Sequence, residues 1–194
     1  MKALLAWTRR LLIASAVSLL AYSGFVLVDA GIFQRAEDRQ LESLVVAPAQ
    51  RAPSVLPASL SPAANGGLIG RVEVPRLGVS AIVMEGDSAS ILRRAVGHIP
   101  GTALPGQSGN IAISGHRDTF FRPLRHIEAG DEILLTTMTG QYRYRVRATR
   151  VVAPDDVSVL RPGTGETLTI ITCYPFYFVG PAPSRFIVRA ERVT

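Results

Sequence analysis

The single cysteine of the chain is the side chain best suited to covalent chemistry. Cys173 ends the apolar run TLTIIT and is followed at once by Tyr174-Pro175-Phe176, so its thiol lies where a predicted strand gives way to a loop. A thiol with a pKa of about 8.5 is mostly protonated at neutral pH, so a cysteine nucleophile needs a nearby histidine or cation to form the thiolate. A lone cysteine also packs as a small hydrophobic residue, so its neighbours in space decide between the two interpretations.

Two other residues occupy comparable positions at the ends of predicted strands. His116 follows the predicted strand 110–114, and Arg185 begins the strand that returns after the Cys173 loop. A histidine can take the thiol proton and later give it to a leaving amine, and an arginine offers charged, planar donors to an oxyanion. If the strand ends meet at the rim of a barrel, these residues predict acyl transfer on Cys173.

Further residues are weaker candidates for the same site. Thr172 precedes the cysteine and is a candidate for oxyanion support, although a β-branched residue also suits a strand for packing reasons alone. His98 lies in a loop rich in glycine and proline, where it is a candidate for substrate binding or oxyanion support and an alternative base. Asp118 is a candidate to orient His116, but a solvated loop carboxylate is the simpler interpretation.

The elements that must position these residues are mostly short strands. From residue 68 onward, apolar and polar residues alternate in short runs, and long apolar helices are absent. The predicted strands are 68–74, 79–84, 110–114, 132–138, 141–152, 167–172 and 185–192, with short helical segments at 88–96 and 120–127 and a loop at 97–109. This pattern predicts a mostly β domain of about eight strands, closed or nearly closed into a barrel.

A long apolar segment precedes this domain. Residues 11–28 carry no charge and are about long enough to cross a bilayer as a helix. Lys2, Arg9 and Arg10 precede the segment and Asp29 follows it, so the positive-inside rule places the N-terminus in the cytoplasm and the domain outside. A cleaved signal peptide is the alternative, but the apolar run is longer than is usual for one.

Four segments follow from these patterns. Residues 1–10 are predicted to form a cytoplasmic tip and residues 11–28 a transmembrane anchor. Residues 29–66 are predicted to form a short juxtamembrane helix followed by a stalk rich in proline and alanine, because regularly spaced prolines favour an extended spacer. Residues 67–194 are predicted to form the catalytic domain.

Composition excludes several classes of site. One cysteine in 194 residues rules out an intramolecular disulfide and a cysteine-based metal centre. The acidic residues are scattered, so neither a calcium site nor any other metal or cofactor is predicted. The net charge is +6, but the arginines at 143, 145 and 147 share one face of a predicted strand with no aromatic residue interleaved on that face, so nucleic-acid binding is not predicted.

Three motifs resemble those of the sortases, which are membrane-anchored cysteine transpeptidases with an eight-stranded barrel. The motifs are Ser114-Gly115-His116-Arg117, Thr169-Ile170-Ile171-Thr172-Cys173 and Pro183-Ser184-Arg185, and the stretches GHIPGTALPG and GHRDTFF with TCYPF look most like the class D branch. Ile170 stands where the sortase motif usually has leucine, a conservative difference. The resemblance implies a closed eight-stranded barrel with Cys173 as nucleophile, His116 as its acid and base, and Arg185 as the stabiliser of substrate and oxyanion.

The same resemblance implies a function outside the cytoplasm. It implies cleavage of an LPxTG-like C-terminal sorting signal on surface proteins through a thioacyl intermediate, then transfer to an amine of a cell-wall precursor or a pilin lysine. Two alternatives stay open on the sequence alone. One is a non-catalytic, membrane-tethered barrel that binds peptides, and the other is a different cell-wall cysteine transpeptidase. An L,D-transpeptidase fits poorly, because its histidine and cysteine lie close together in sequence.

Overall fold

The fold is seen in a computed structural model, which describes residues 2–46, 65–163 and 165–193. Most of the predicted stalk lies outside the described residues. Within them, the strands are β1 (Leu68–Val74), β2 (Val79–Glu85), β3 (Val96–His98), β4 (Gly109–Gly115), β5 (Glu132–Thr137), β6 (Gly140–Val152), β7 (Glu166–Tyr174) and β8 (Ser184–Arg192). The helices are α1 (Lys2–Val46) and α2 (Ala89–Leu92), with 3₁₀ turns at Pro75–Leu77, Arg122–His126 and Val157–Leu160.

The strands form a closed barrel in the order β1-β2-β3-β4-β7-β8-β6-β5, which confirms the predicted architecture. Strand β4 runs parallel to β7, and β7 runs antiparallel to β8. The turn Pro75–Leu77, the last residues of β4 and β7, and the first residues of β8 therefore lie at one end, here called the cysteine end. The hairpin between β5 and β6 lies at the opposite end, here called the hairpin end.

The core fills the barrel because alternate residues of each strand point inward. Ile113 of β4, Ile170 of β7 and Val188 of β8 are fully buried neighbours in the same core cluster. Each large aliphatic side chain removed from water contributes roughly 1.5 to 3 kcal/mol. The residues between them, such as Ile171, therefore point outward, and this alternation decides which side chains can form a surface site.

Helix α1 is continuous through the predicted anchor and the predicted juxtamembrane helix. It is long and apolar enough to cross a membrane, and its later part packs on the barrel. Gln34 accepts a hydrogen bond from the Ile82 backbone N–H at 2.8 Å and donates one to the Arg94 carbonyl at 2.6 Å. Strand β3 pairs only with the last residues of β2, so α1 covers backbone of β2 that β3 leaves without a partner.

Two local predictions are corrected. The segment predicted as a loop at 97–109 begins with the short strand β3, which starts at Val96. A three-residue strand is too short to show a period of two in sequence. The helix predicted over 88–96 is shorter, because α2 ends at Leu92 and the chain turns into β3 soon afterwards.

Candidate active site

The register of three neighbouring strands brings Cys173, His116 and Arg185 together. Gly115 pairs with Thr172 between β4 and β7, so one further step along both strands sets His116 beside Cys173. On the other side of β7, Cys173 pairs directly with Arg185 of β8. Residues directly opposite each other in a sheet have Cβ atoms about 4.5 to 5.5 Å apart. The three predicted residues therefore form one row at the cysteine end.

All three side chains are accessible from outside the barrel. Cys173 is a free thiol and is half-buried, as is Arg185, while His116 is exposed. They share the outward face of the sheet, since the inward positions beside them belong to the core. The thiol, the imidazole and the guanidinium thus face solvent.

A groove of about 230 Å³ leads to this row. Ser114, Ile171 and Ile187 form its floor. Each lies two residues along its strand from a residue of the row, Ser114 before His116, Ile171 before Cys173 and Ile187 after Arg185. Residues 152–160, between β6 and β7, form the wall, and Arg185 borders the groove. The groove is mostly apolar, although Asp87, Asp156 and Arg185 also line it, so it suits an extended peptide with apolar side chains.

Asn110 anchors the groove wall to the barrel. Its Nδ2 donates to the Val159 carbonyl at 2.9 Å, and its Oδ1 accepts from the Thr169 hydroxyl at 2.7 Å. Within the wall, hydrogen bonds from Ser158 hold the pKa of Asp156 below its usual value. Sequence reasoning missed Asn110 because its partners lie on distant segments and include a backbone carbonyl.

Arg185 keeps donors available for a ligand. Its Nη1 donates to the backbone carbonyls of Ala182 at 3.3 Å and Ser184 at 3.1 Å, which orient the guanidinium. No carboxylate pairs with it among the described residues. Because a guanidinium has five N–H donors, the rest can meet a carbonyl oxygen or an oxyanion.

His116 is followed by the buried Arg117, which sequence reasoning did not single out. The Arg117 guanidinium donates to the backbone carbonyls of Pro175 at 3.0 Å, Phe178 at 2.6 Å and Gly180 at 3.1 Å. All three acceptors lie on the loop between Cys173 and Arg185. Arg117 therefore fastens the loop that follows the cysteine to the loop that carries the histidine.

Asp118 is a candidate to orient His116, but the contact that the structure shows for its side chain is with Arg117. Its Oδ1 lies 3.5 Å from Arg117 Nε, and its side chain is largely exposed. No hydrogen bond joins a carboxylate to the His116 ring among the described residues.

Thr172 faces the barrel interior and is 2% exposed. Its hydroxyl donates to the Gly115 carbonyl at 2.7 Å. This hydroxyl is turned away from the outward face that carries the Cys173 thiol, and the predicted oxyanion support by Thr172 stays a prediction. The bond instead ties the end of β7 to the end of β4, next to the cysteine and the histidine.

His98 is also buried and has other partners. Its Nδ1 lies 2.7 Å from Glu85 Oε2, and its Nε2 lies 3.0 Å from the carbonyl oxygen of Ala103 and 3.0 Å from the Thr102 hydroxyl. It shares the inward face with Ile113, its partner across β3 and β4. The ring links β2, β3 and the following loop, and the predicted role in substrate binding or oxyanion support stays a prediction.

Within residues 2–46, 65–163 and 165–193, no group of three or more histidine, cysteine, aspartate or glutamate side chains could hold a metal ion. Cysteine, histidine and arginine in this arrangement can carry out nucleophilic attack, proton transfer and charge stabilisation on an acyl group.

Comparisons with known proteins agree with this geometry. Residues 72–193 match the family model of the sortase domain. Sortase D of Bacillus subtilis strain 168 is 33% identical over 192 residues, which covers 94% of this chain and 96% of that protein.

Solved structures give the same result at the level of the fold. A Clostridium perfringens sortase D5 transpeptidase superposes with a TM-score of 0.62 at 32% identity, over 68% of this chain and 82% of that one. A Clostridium perfringens sortase C, solved with the C-terminal cell wall sorting motif, superposes with a TM-score of 0.63 at 29% identity, over 74% and 79% of the two chains.

Proposed function

Because this chain belongs to the sortase family of cysteine transpeptidases, we propose that it cleaves an LPxTG-like sorting signal and joins the released acyl group to an amine. Its substrates are surface proteins with a C-terminal sorting signal. The acceptor is an amine of a cell-wall precursor or a pilin lysine. The observation that carries the proposal is the row of His116, Cys173 and Arg185 at the end of an apolar groove.

In the first half of the reaction, His116 takes the proton from the Cys173 thiol and the thiolate attacks the scissile carbonyl carbon. Negative charge moves to the carbonyl oxygen, where Arg185 stabilises it. As the intermediate collapses, the carbon–nitrogen bond breaks and His116 protonates the leaving amine. The product is a thioester on Cys173 with the N-terminal part of the substrate.

In the second half, the acceptor amine attacks the thioester carbon. His116 removes the amine proton, the carbon–sulfur bond breaks, and the thiol is restored. The exposed position of His116 suits this double task, because the ring must meet two different amines in turn. Water in place of the amine would give hydrolysis instead.

We further propose that the chain is a single-pass membrane protein with a cytoplasmic N-terminus and an extracytoplasmic catalytic domain. Support comes from the apolar helix α1 and from the basic residues that precede residues 11–28. Retention of the full chain in membranes after carbonate washing, with the barrel open to added protease only from outside, is the expected result.

The central test is mass spectrometry of the chain incubated with an LPxTG-type peptide library. We expect an adduct on Cys173 that hydroxylamine releases, as a thioester requires, and no adduct in the Cys173→Ala variant. That variant should stay folded, because removing a half-buried side chain at the rim should lower the free energy of unfolding far less than the roughly 2 to 5 kcal/mol lost when a core side chain is truncated. Peptide cleavage by Cys173→Ala at the native rate would refute the mechanism, and tight peptide binding without any cleavage by the native chain would favour the non-catalytic barrel.

A further inference from the structure

The loop between β7 and β8 carries an exposed apolar tip near its middle. Tyr177 is 74% exposed, Phe178 43% and Val179 95%, and the three residues are consecutive. The other exposed large apolar side chains in the described barrel, Met138, Val151 and Val157, are isolated along the sequence. Isolated exposed apolar residues are ordinary, but a continuous group of them marks a contact surface.

Helix α1 shows which end of the barrel lies nearest the predicted membrane span. Ala30 and Gly31 line a cavity of about 390 Å³ together with Val79 at the start of β2 and Phe120 and Pro123 after His116. These barrel residues belong to the cysteine end. The helix then crosses β2 toward β1, because Gln34 contacts Ile82 and Asp38 contacts Arg71, the cross-strand partner of Ile82. Its membrane part therefore leaves the barrel beside the cavity.

The distance from the membrane to this end is short. The predicted span ends at residue 28, and an α-helix rises 1.5 Å per residue, so Gly31 lies about 5 Å beyond it along the axis. The polar layer on each side of the hydrocarbon core is roughly 5 to 7 Å thick. The cysteine-end residues that line the cavity therefore lie near the depth of the lipid head groups.

The apolar tip belongs to the same end and lies beside the 3₁₀ turn Arg122–His126, which contributes Pro123 to the cavity. The Arg125 guanidinium is 5.6 Å from the centre of the Tyr177 ring, and Arg125 is in the 3₁₀ turn Arg122–His126. The Arg117 guanidinium is 5.9 Å from the centre of the Phe178 ring. These contacts hold the tip next to the elements that meet α1.

Positive charge surrounds the tip. Arg93, Arg122 and Arg125 are exposed, and the cavity brings Arg93 close to the same elements. The carboxylates nearby are largely engaged: Asp29 pairs with Arg94, and Asp131 with Arg76, while Asp118 lies near Arg117 and Glu128 is exposed. Asp155 and Asp156 lie on the groove wall, so the unpaired positive charge named here belongs to the side of this end that carries the cavity and the tip.

We propose that the cysteine end of the barrel rests on the surface of an anionic lipid bilayer, with Tyr177, Phe178 and Val179 in the interfacial layer and Arg93, Arg122 and Arg125 against lipid phosphates. Aromatic side chains favour the membrane interface, and arginine pairs well with phosphate. Each basic residue near an anionic surface contributes about 1 kcal/mol of attraction. This inference rests on the membrane anchor given in the proposed function.

The orientation has a consequence for catalysis. Cys173, His116 and Arg185 lie at the same end as the tip, so the reacting peptide bond is held close to the bilayer. Polypeptides held at the same membrane surface reach this site without leaving it. The tip thus favours membrane-bound substrates over freely diffusing ones.

The test uses the full chain reconstituted in vesicles of phosphatidylglycerol and phosphatidylcholine, with bromine on the acyl chains close to the head group. Trp7 is the single tryptophan, so Trp7→Phe gives a dark background for one new tryptophan at a time. Val179→Trp reports on the tip, and Met138→Trp, at an exposed apolar position of the hairpin end, is the matched control. We expect brominated lipid to quench the Val179→Trp variant at least about threefold more strongly.

The charge part is tested by adding Arg122→Gln and Arg125→Gln to the Val179→Trp chain, and by replacing phosphatidylglycerol with phosphatidylcholine. Both changes should lower the quenching. Equal, weak quenching of the Val179→Trp and Met138→Trp variants in carbonate-resistant membranes would overturn the proposal while the anchor stands. Shielding of the tip from iodide without bromine quenching would show a protein partner and overturn it too. Loss of the chain from carbonate-washed vesicles would refute the anchor itself.

Discussion

At the scale of single residues, the alignment of the site depends on Arg117 as well as on the reacting side chains. One guanidinium binds three carbonyls of the Cys173 loop, and the side chain is 6% exposed. Hydrogen bonds from a charged donor contribute about 1.5 to 3 kcal/mol, more than neutral ones. Arg117 touches neither substrate nor thiol in the contacts described, so it is a positioning residue.

Arg117→Lys should lower kcat by about tenfold or more, because an ammonium group cannot reach three separated carbonyls in a planar fork. The measurements are kcat and KM with an LPxTG-type peptide, the rate of Cys173 alkylation by iodoacetamide, and Tm. Arg125→Lys is the matched control, since Arg125 contacts the same loop only through the exposed Tyr177 ring. A native kcat in Arg117→Lys with a lowered Tm would mean that the residue only stabilises the fold.

Thr172 gives a second test at this scale. Thr172→Val keeps the shape but leaves the Gly115 carbonyl without its hydroxyl donor, which should cost about 1 to 3 kcal/mol of unfolding free energy. Thr172→Ser keeps the donor and should lie close to the native protein. Denaturant unfolding and single-turnover acylation separate the two roles. If Thr172→Val slowed acylation by about 10²-fold with native stability, the hydroxyl would belong to the oxyanion site after all.

The clustering of Cys173, His116 and Arg185 could be predicted from the sequence, because each stands at the end of a predicted strand. Their catalytic roles stay predictions. The burial of Thr172 was also readable, since it lies two positions after Ile170 and must share its inward face. Arg117 was not, because its acceptors are backbone carbonyls, which have no signature in the amino-acid sequence.

At the scale of elements, strands β4, β7 and β8 were predicted almost to their ends, because each combines a long apolar run with clear turn residues. The short strand β3 was missed, and the continuous course of α1 was not anticipated. Both depend on tertiary contacts, since β3 is fixed by pairing with β2 and β4, and α1 by docking on β2. Local sequence patterns do not contain those partners.

Asp131, just before β5, binds Arg76 of the 3₁₀ turn Pro75–Leu77 at the cysteine end. This contact should make the stability of the protein depend on pH. It accepts from Arg76 Nε at 2.5 Å and Nη2 at 2.6 Å, and from the Glu128 N–H at 2.9 Å. The bonds from Arg76 hold the pKa of Asp131 below its usual value. A carboxyl with a lowered folded-state pKa stabilises the protein above its unfolded pKa, and this contribution is lost as pH falls through the folded-state pKa.

Asp131→Asn should therefore lower Tm by a few degrees near neutral pH, and the difference from the native protein should shrink toward zero in strong acid. Thermal unfolding across the acidic range measures this. Glu132→Gln is the control, because Glu132 makes only an exposed pair with Arg143 at 3.5 Å and should change Tm little at any pH. A difference that stayed constant down to strong acid would show that the Asp131 charge is not responsible.

At the scale of the whole molecule, α1 joins the predicted anchor rigidly to the catalytic barrel. Leu41 is 1% exposed, Phe33 packs against the Ile82 cluster, and Arg71 of β1 lies 3.4 Å from Asp38. These contacts cross β2 and β1 on the side of the barrel. With α1 anchored as proposed, a barrel fixed in this way would present its groove to the membrane at one angle, whereas a barrel on a free stalk would sample many angles.

Loosening this contact should therefore affect membrane-bound substrates selectively. Gln34→Leu with Leu41→Ala removes the bond to the Ile82 N–H and a buried side chain, and both changes lie far from Cys173 along the chain. We expect kcat/KM for a short soluble peptide to stay within about twofold of the native value. For a substrate anchored in the same vesicle, kcat/KM should fall about tenfold, because the site and the anchored peptide lose their fixed orientation. Leu20→Ala, at an exposed position of α1 within the predicted span, is the control and should change neither value. An equal fall for both substrates would instead assign the helix contact to the stability of the barrel, and no fall for either would show that the angle set by α1 does not matter for the reaction.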